Sequence, residues 1–301
     1  MSFRVKRALR RFKFSGGSLV EFARDWRRYT KFAFTGVRDA QVNEKHLEAQ
    51  LTLDYHRVEK GLTFKEPKRP FGASMAEHFD QLVPLAAAKS EHGDAFWYKA
   101  AVNADEALRR WNDTGEVDER VARARRPREP LKNPERFFES RQSIRNFSGR
   151  PVEESILDRA VGIAGNAPSV CNRQPWQVRF LTGAQVAEAR VFQNGNRGID
   201  PIPVLAVVTV DARMFNGRGE RNQGWIEGGI FGASLVYAFH ALGVDTCMLN
   251  MSVTNAVADG LRKSIGLADH DLVITMIAVG YAEEGALAPR SARRGVGGIR
   301  A

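Results

Sequence analysis

The run "VLAVVTVDA", residues 204–212, constrains this chain more than any other stretch. A half-buried strand alternates apolar and polar residues, and so continuous a run offers no wet face. It predicts a strand buried on both sides, with layers above and below it. Its surroundings mix element types. "PVEESILDRAVGIAGNA" reads as a helix opened by Pro151 and early acids that suit its N-terminal dipole. "WQVRFL" and "DTCMLN" read as short strands, and "LVITMIAVGYA" as the last strong one. "NQGWIEGGIFGASLVYAFHALG" is a long apolar helix stopped by Gly243, and "VADGLRKSIGL" is another helix. Helices and strands follow one another without a regular βαβ repeat, which favours α+β over a doubly wound sheet.

The first part of the chain reads differently. Residues 41–115 are helical in pattern: "VNEKHLEAQLTLDYHRVEKGL" ends in Gly61, and "SMAEHFDQLVPLAAAKS" and "DAFWYKAAVNADEALRRWND" follow a proline-bearing loop. Residues 116–134 are charged and punctuated by proline, which sets a boundary there. The expected division is a helical N-terminal extension, 1–133, and a second domain, 134–301.

Net charge is +10, but residues 1–40 hold eleven Lys/Arg against three acids, so the remainder is nearly neutral. Positive charge confined to one end, without interleaved aromatics, argues against nucleic-acid binding. "MSFRVKRALRRFKF" places Val5, Leu9 and Phe12 at helical spacing among six basic residues, a pattern suited to an anionic membrane surface through residues 1–14. A solvated arm and a transit peptide remain open alternatives. No apolar run approaches the roughly 20 residues of a membrane span, so the expected location is cytoplasmic, with peripheral contact at the inner face of the membrane. Cys171 and Cys247 suggest no disulfide framework and no paired metal spacing.

Chemistry-bearing residues are few. In "ESRQSIRNF", Arg141, Ser143 and Arg145 alternate, so an extended segment would project two guanidiniums and a hydroxyl from one side, a good anion site. "APRSARR" supplies Arg290, Ser291, Arg293 and Arg294 after the last strand. Two Arg/Ser clusters at the ends of one domain favour a shared phosphate ligand, yet neither a P-loop nor a Gly-rich dinucleotide turn is present. His56 and Glu59 are half a metal site at best, so no metal is assigned. Gly228, Gly232 and Ser234 would let the long helix approach the core or a second copy closely. Most unusual is "NAPSVCNRQPWQVRF", a polar turn running straight into a strand without an obvious acid or base.

Together, "SRQSIRNF", "AGNAPSVCNRQPWQVRFL" and "AVGYAEEGALAPRSARR" resemble the FMN-dependent nitroreductase family over roughly residues 134–295. The segment "YHRVEKGLTFKEPKRPFG" also resembles a nitroreductase-like subgroup associated with polysaccharide biosynthesis. The first resemblance implies a mostly antiparallel central sheet flanked by helices, and an obligate homodimer with FMN at the interface. It implies that Arg141 and Ser143, with Ser291 and Arg293 or Arg290, hold the flavin's phosphate and ribityl chain. Position 142 is Gln142 where a second basic residue is common. Arg145 would lie at the pyrimidine end, Pro168, Ser169 and Asn172 would approach the ring from the partner subunit, and Asn196 the pyrimidine edge. Leu249 and Asn250 would lie beside the ring, while Gln174, Pro175 and Trp176 would fix the turn. Absence of a catalytic side chain is then expected, because the flavin carries the redox chemistry. The implied activity is ping-pong reduction of a small acceptor by NAD(P)H, with nitroaromatics or quinones as surrogates. Its rivals are a flavin-fragmenting or dehalogenating enzyme, and a non-enzymatic flavoprotein or membrane-associated accessory protein of polysaccharide biosynthesis.

Overall fold

Val204–Asp211 form a strand (β2) that is buried at every position. It is flanked by Trp176–Leu181 (β1) and Asp271–Gly280 (β4), and Asp245–Asn250 (β3) lies beyond β4. The order β1-β2-β4-β3 is antiparallel throughout, where the family resemblance had implied a sheet that is mostly so. The structure is a computed structural model that describes residues 3–89, 92–195 and 198–300, with side chains from residue 14 onward.

Among the described residues the helices are Phe3–Phe32 (α1), Val37–Val42 (α2), Glu44–Leu62 (α3), Ala73–Ala87 (α4), Phe96–Thr114 (α5), Pro134–Ser140 (α6), Glu154–Ala164 (α7), Ala184–Arg190 (α8), Gln223–Ala241 (α9) and Asn255–Ser264 (α10). Alternate residues of β2 feed two cores, as the period of a strand requires. Leu205 and Val207 join Val186 and Ala189 of α8 and Leu261 of α10. Ala206 and Val208 join Leu157 and Ala160 of α7 and Phe231, Leu235 and Phe239 of α9. A third core, built on Leu51, Phe79, Trp97 and Leu108, belongs to helices α2–α5.

Two boundaries differ from the sequence expectation. α7 starts at Glu154 with Glu153 as its N-cap, so Pro151 stands before the helix rather than inside its first turn. α3 runs through Gly61 to Leu62. Gly243 does lie just past α9 at φ 73°, a left-handed position that glycine takes without penalty.

The small-residue stripe of α9 is used within the chain. A register shift between Val208 and Thr209 leaves Ile274 of β4 as the extra, bulged residue. A Cβ at Gly228 would stand 2.3 Å from Cγ1 of Ile274, so only glycine accommodates the bulge. A Cβ at Gly224 would stand a tight 3.0 Å from Leu272 and one at Gly232 an ordinary 3.5 Å from Thr275, and Ser234 donates to the Ile230 carbonyl. This stripe therefore serves helix-to-sheet packing, while Trp225 and Ile226 on the other side of α9 are exposed.

The N-terminal helices are tied to the sheet. Phe34 is fully buried with Ala49 and Met214, and its backbone exchanges hydrogen bonds with Phe215 and Gly217.

Candidate functional site: a strained turn and an Arg/Ser edge

The polar turn before β1 is held from three sides. Arg173, whose side chain is fully buried, donates to the Met214 carbonyl at 2.7 Å and pairs with Glu220 at 2.6 Å. Glu227, on the otherwise apolar α9, accepts the Val170 N–H at 2.9 Å and the Gln223 amide at 2.7 Å. Tyr55 of α3 accepts from the Asn172 side-chain amide at 3.2 Å. Burial pushes the Tyr55 phenol up to about 12, so it stays protonated and neutral at ordinary pH.

Those anchors sustain an uncommon backbone. Cys171, Asn172 and Gln174 have φ of 49°, 55° and 46°, a region that L-residues seldom occupy. Such strain persists only where surroundings over-determine it, and it concentrates at functional sites. Within the turn, Ser169 Oγ accepts the Gln174 N–H at 3.1 Å, and the Gln174 side chain donates to Asn172. Pro175 accepts the Asp211 N–H, and Trp176 stacks on Phe231 with ring centroids 5.2 Å apart. Gln174, Pro175 and Trp176 thus fix the turn as expected, while Pro168 is exposed and Ser169 half-buried.

The Arg/Ser segment lies elsewhere. Ser143 bridges Thr246 in parallel, so residues 143–144 extend the sheet beyond β3. Ile144 is buried in the core, and its neighbours Ser143 and Arg145 turn outward. Arg141 is half-buried and Gln142 exposed; Arg145 is exposed and donates to the Ser143 carbonyl. The positive charges of Arg145 and Arg141 partly offset the burial that raises the Cys247 thiol. Beside this edge runs the chain leaving β4: Phe147 bridges Ala282, and Glu283 donates to the Asn146 carbonyl. Ala288 then packs against the large core cluster that also holds Ile144, and Arg290, Ser291 and Arg293 beyond it are exposed. Ser291 has φ of 47°.

Leu249 is buried, with its carbonyl accepting from Thr275 Oγ1 at 3.1 Å, and Asn250 is exposed. Gln193 donates to the Asn250 carbonyl, so the loop after α8 reaches the end of β3; Asn196 lies outside the described residues. The weaker candidates resolve into packing. His56 bonds Glu59 at 3.1 Å on the α3 surface, and His240 bonds Ser140 and the Phe137 carbonyl. Asp211 caps and pairs with Arg213.

The strand pairings set turn and edge far apart. The turn precedes Trp176, opposite Val210, and Val210 faces Leu272 near the start of β4. Ser143 lies against Thr246, which faces Val279 near the end of β4. Turn and Arg/Ser segment therefore occupy opposite edges and opposite ends of the sheet. With strands about 4.8 Å apart and about 3.4 Å per residue, the offset is about 19 Å across, over four strand spacings, and about 20 Å along.

The Nitroreductase family model matches residues 138–194, which contain both the Arg/Ser edge and the turn but not Leu249, Asn250 or residues 288–294. A protein of Methanothermobacter thermautotrophicus named for NADH dehydrogenase/NAD(P)H nitroreductase is 23% identical over 151 residues, 49% of this chain and 76% of the relative. An iodotyrosine deiodinase of Haliscomenobacter hydrossis is 24% identical over 188 residues, 52% of this chain and 83% of the relative. A nitroreductase from Desulfovibrio desulfuricans, solved in complex with FMN, superposes with a TM-score of 0.49 at 18% identity, over 56% of this chain and 96% of that one. Over residues 138–194, this chain is similar to the nitroreductase family.

Proposed function

We propose that the chain is an FMN-dependent oxidoreductase that takes reducing equivalents from NAD(P)H and passes them to a small acceptor. The observation that carries this is the diagonal separation of the turn from the Arg/Ser edge. One chain cannot wrap both around one ligand, whereas a twofold homodimer presents the edge of one copy to the turn of the other. The exposed Trp225 and Ile226 of α9 offer apolar surface for such pairing.

The residues present fit the flavin. Arg141, Ser143, Arg290, Ser291 and Arg293 provide forked and hydroxyl donors suited to a phosphate and ribityl chain. Arg145 would hold a fixed positive charge at the pyrimidine end, where reduction adds negative charge. Pro168, Ser169 and Asn172 would cover the ring from the partner, beside the Tyr55 bond that Asn172 already makes. Asn196, Leu249 and Asn250 would complete the surroundings of the ring. FMN accepts and donates hydride when bound, so the protein's share is to orient, to tune and to limit access. Residues 1–133 form an accessory unit, residues 134–301 the flavin-binding unit, and the protein works in the cytoplasm with residues 1–14 toward the inner face of the membrane.

The iodotyrosine deiodinase relative favours one second possibility, reductive dehalogenation at the same site.

Subunit mixing tests the shared site. Chains carrying Arg141→Ala and Arg145→Ala should retain little FMN, as should chains carrying Ser169→Ala and Asn172→Ala. Unfolding and refolding them together should restore about a quarter of the wild-type sites, because half of the dimers are mixed and each mixed dimer has one intact site. Recovery absent from the mixture, with both variants folded and dimeric, would refute a site shared between copies.

A further inference from the structure

Helices that dock on their own protein normally bury an apolar stripe. α1 does the reverse along its described side chains. Glu21 accepts the Asn255 N–H at 2.7 Å, Asp25 accepts the Asn255 side-chain amide at 2.8 Å, and Arg28 pairs with Asp259 at 2.8 Å. Tyr29 donates to the Gly217 carbonyl. These polar contacts lie at spacings of three and four, on the side that meets α10 and the loop before α9. The apolar residues are left outside: Phe14 is 75% exposed, Leu19 69%, Phe22 68% and Trp26 64%.

The exposed surface has two flanks. Leu19, Phe22 and Trp26 follow one another at i, i+3 and i+7, and so do Arg24, Arg27 and Lys31. The aromatic flank borders a groove of about 800 Å³ that reaches Phe215, Arg218, Arg221 and half-exposed Trp225. The cationic flank borders a second groove, of about 550 Å³, that adds Arg262 and Lys263 from α10. At 1.5 Å per residue, α1 is about 45 Å long.

We propose that α1 lies in the plane of an anionic phospholipid surface. The aromatic flank enters the headgroup region, and Arg27 and Lys263 pair with lipid phosphates, joined by Arg24 and Lys31 as these exchange their exposed pairs with Glu21 and Asp269 for lipid. Charge selects this occupant over a second copy of α1. Residues 14–31 hold Arg24, Arg27, Arg28 and Lys31 against Glu21 and Asp25, and both acids bond Asn255 within the chain. Two such helices face to face would set cation against cation. The contact falls on residues 14–31, beyond the basic start of the chain, and stands whether or not the protein binds flavin.

The test is cosedimentation of the full chain with phosphatidylcholine vesicles, with and without phosphatidylglycerol, at low and physiological salt. Binding should require phosphatidylglycerol and weaken with salt. Arg24→Gln with Arg27→Gln, both at exposed positions, should weaken it about tenfold. Phe22→Ser with Trp26→Ser should remove the binding that survives at physiological salt, with folding of each variant checked by circular dichroism. The proposal is overturned if the full chain ignores phosphatidylglycerol vesicles at low salt. It is equally overturned if the folded cation variant binds them like wild type, or if the aromatic variant instead dissociates a dimer in sedimentation velocity and leaves vesicle binding intact.

Discussion

Asn172 donates its side-chain amide to the phenolic oxygen of Tyr55 at 3.2 Å, joining α3 to the strained turn before β1. The helical N-terminal region is therefore part of what holds the turn in place. Tyr55→Phe removes the acceptor without opening a cavity, and should lower stability by about 1 kcal/mol in urea denaturation. Flavin should be retained less tightly as well, because Asn172 loses one of its restraints. Unchanged unfolding midpoint and unchanged FMN dissociation would show that the bond restrains nothing.

Arg173 should matter more. Its guanidinium is fully buried and pairs with Glu220, while also serving the Met214 and Val170 carbonyls. Arg173→Ala strips the guanidinium from the Met214 carbonyl and from half-buried Glu220, which keeps only the Asn216 N–H, so it should cost about 3 kcal/mol. Arg173→Lys should recover little of this, since one ammonium cannot reproduce three divergent guanidinium bonds. Thermal unfolding of both variants checks the point, and a lysine variant as stable as wild type would contradict it.

Neighbouring glycines of α9 should respond oppositely to alanine. At Gly228 the new methyl would collide with the bulged Ile274, and overpacking of this kind costs about 1–3 kcal/mol. At exposed Gly229 nothing lies within 4 Å, so Gly229→Ala should leave stability unchanged or raise it by about 1 kcal/mol through helix propensity. Equal effects at the two positions in denaturant titrations would argue against the close approach of α9 to β4.

Alkaline pH should loosen the N-terminal attachments. Burial pushes both Tyr29 and Tyr55 up to about 12, whereas an unfolded tyrosine ionises near pH 10. Folded-state values above the unfolded value mean that this contribution is complete below about pH 10 and is lost as pH rises toward 12. Tyr29 and Tyr55 should titrate late in a phenolate absorbance titration of the folded protein, and Tyr55→Phe should remove part of that late amplitude.

The legible parts of this molecule are those written by periodicity. β2 announced itself because a strand covered on both faces cannot alternate, and the alternation of Arg141, Ser143 and Arg145 matched an edge segment whose intervening Ile144 enters the core. Helix ends were less legible, since Pro151 carries a start signal that the chain delays to Glu154. The supports of the turn were missed for a different reason. Arg173, Glu220, Glu227 and Tyr55 come from four separate places in the chain, and only folding brings their hydrogen bonds together. Glu227 did leave a trace, as a lone carboxylate in an apolar helix. The Gly228 stripe was ambiguous between core and partner, and only the bulge at Ile274 decides for the core.

The most direct test of the central claim is the visible absorption spectrum of the purified protein, recorded before and after anaerobic addition of NADH or NADPH. The account predicts a flavin spectrum, or one restored by added FMN, that bleaches with one of the two nicotinamides. A folded protein that stays colourless after incubation with excess FMN would contradict it.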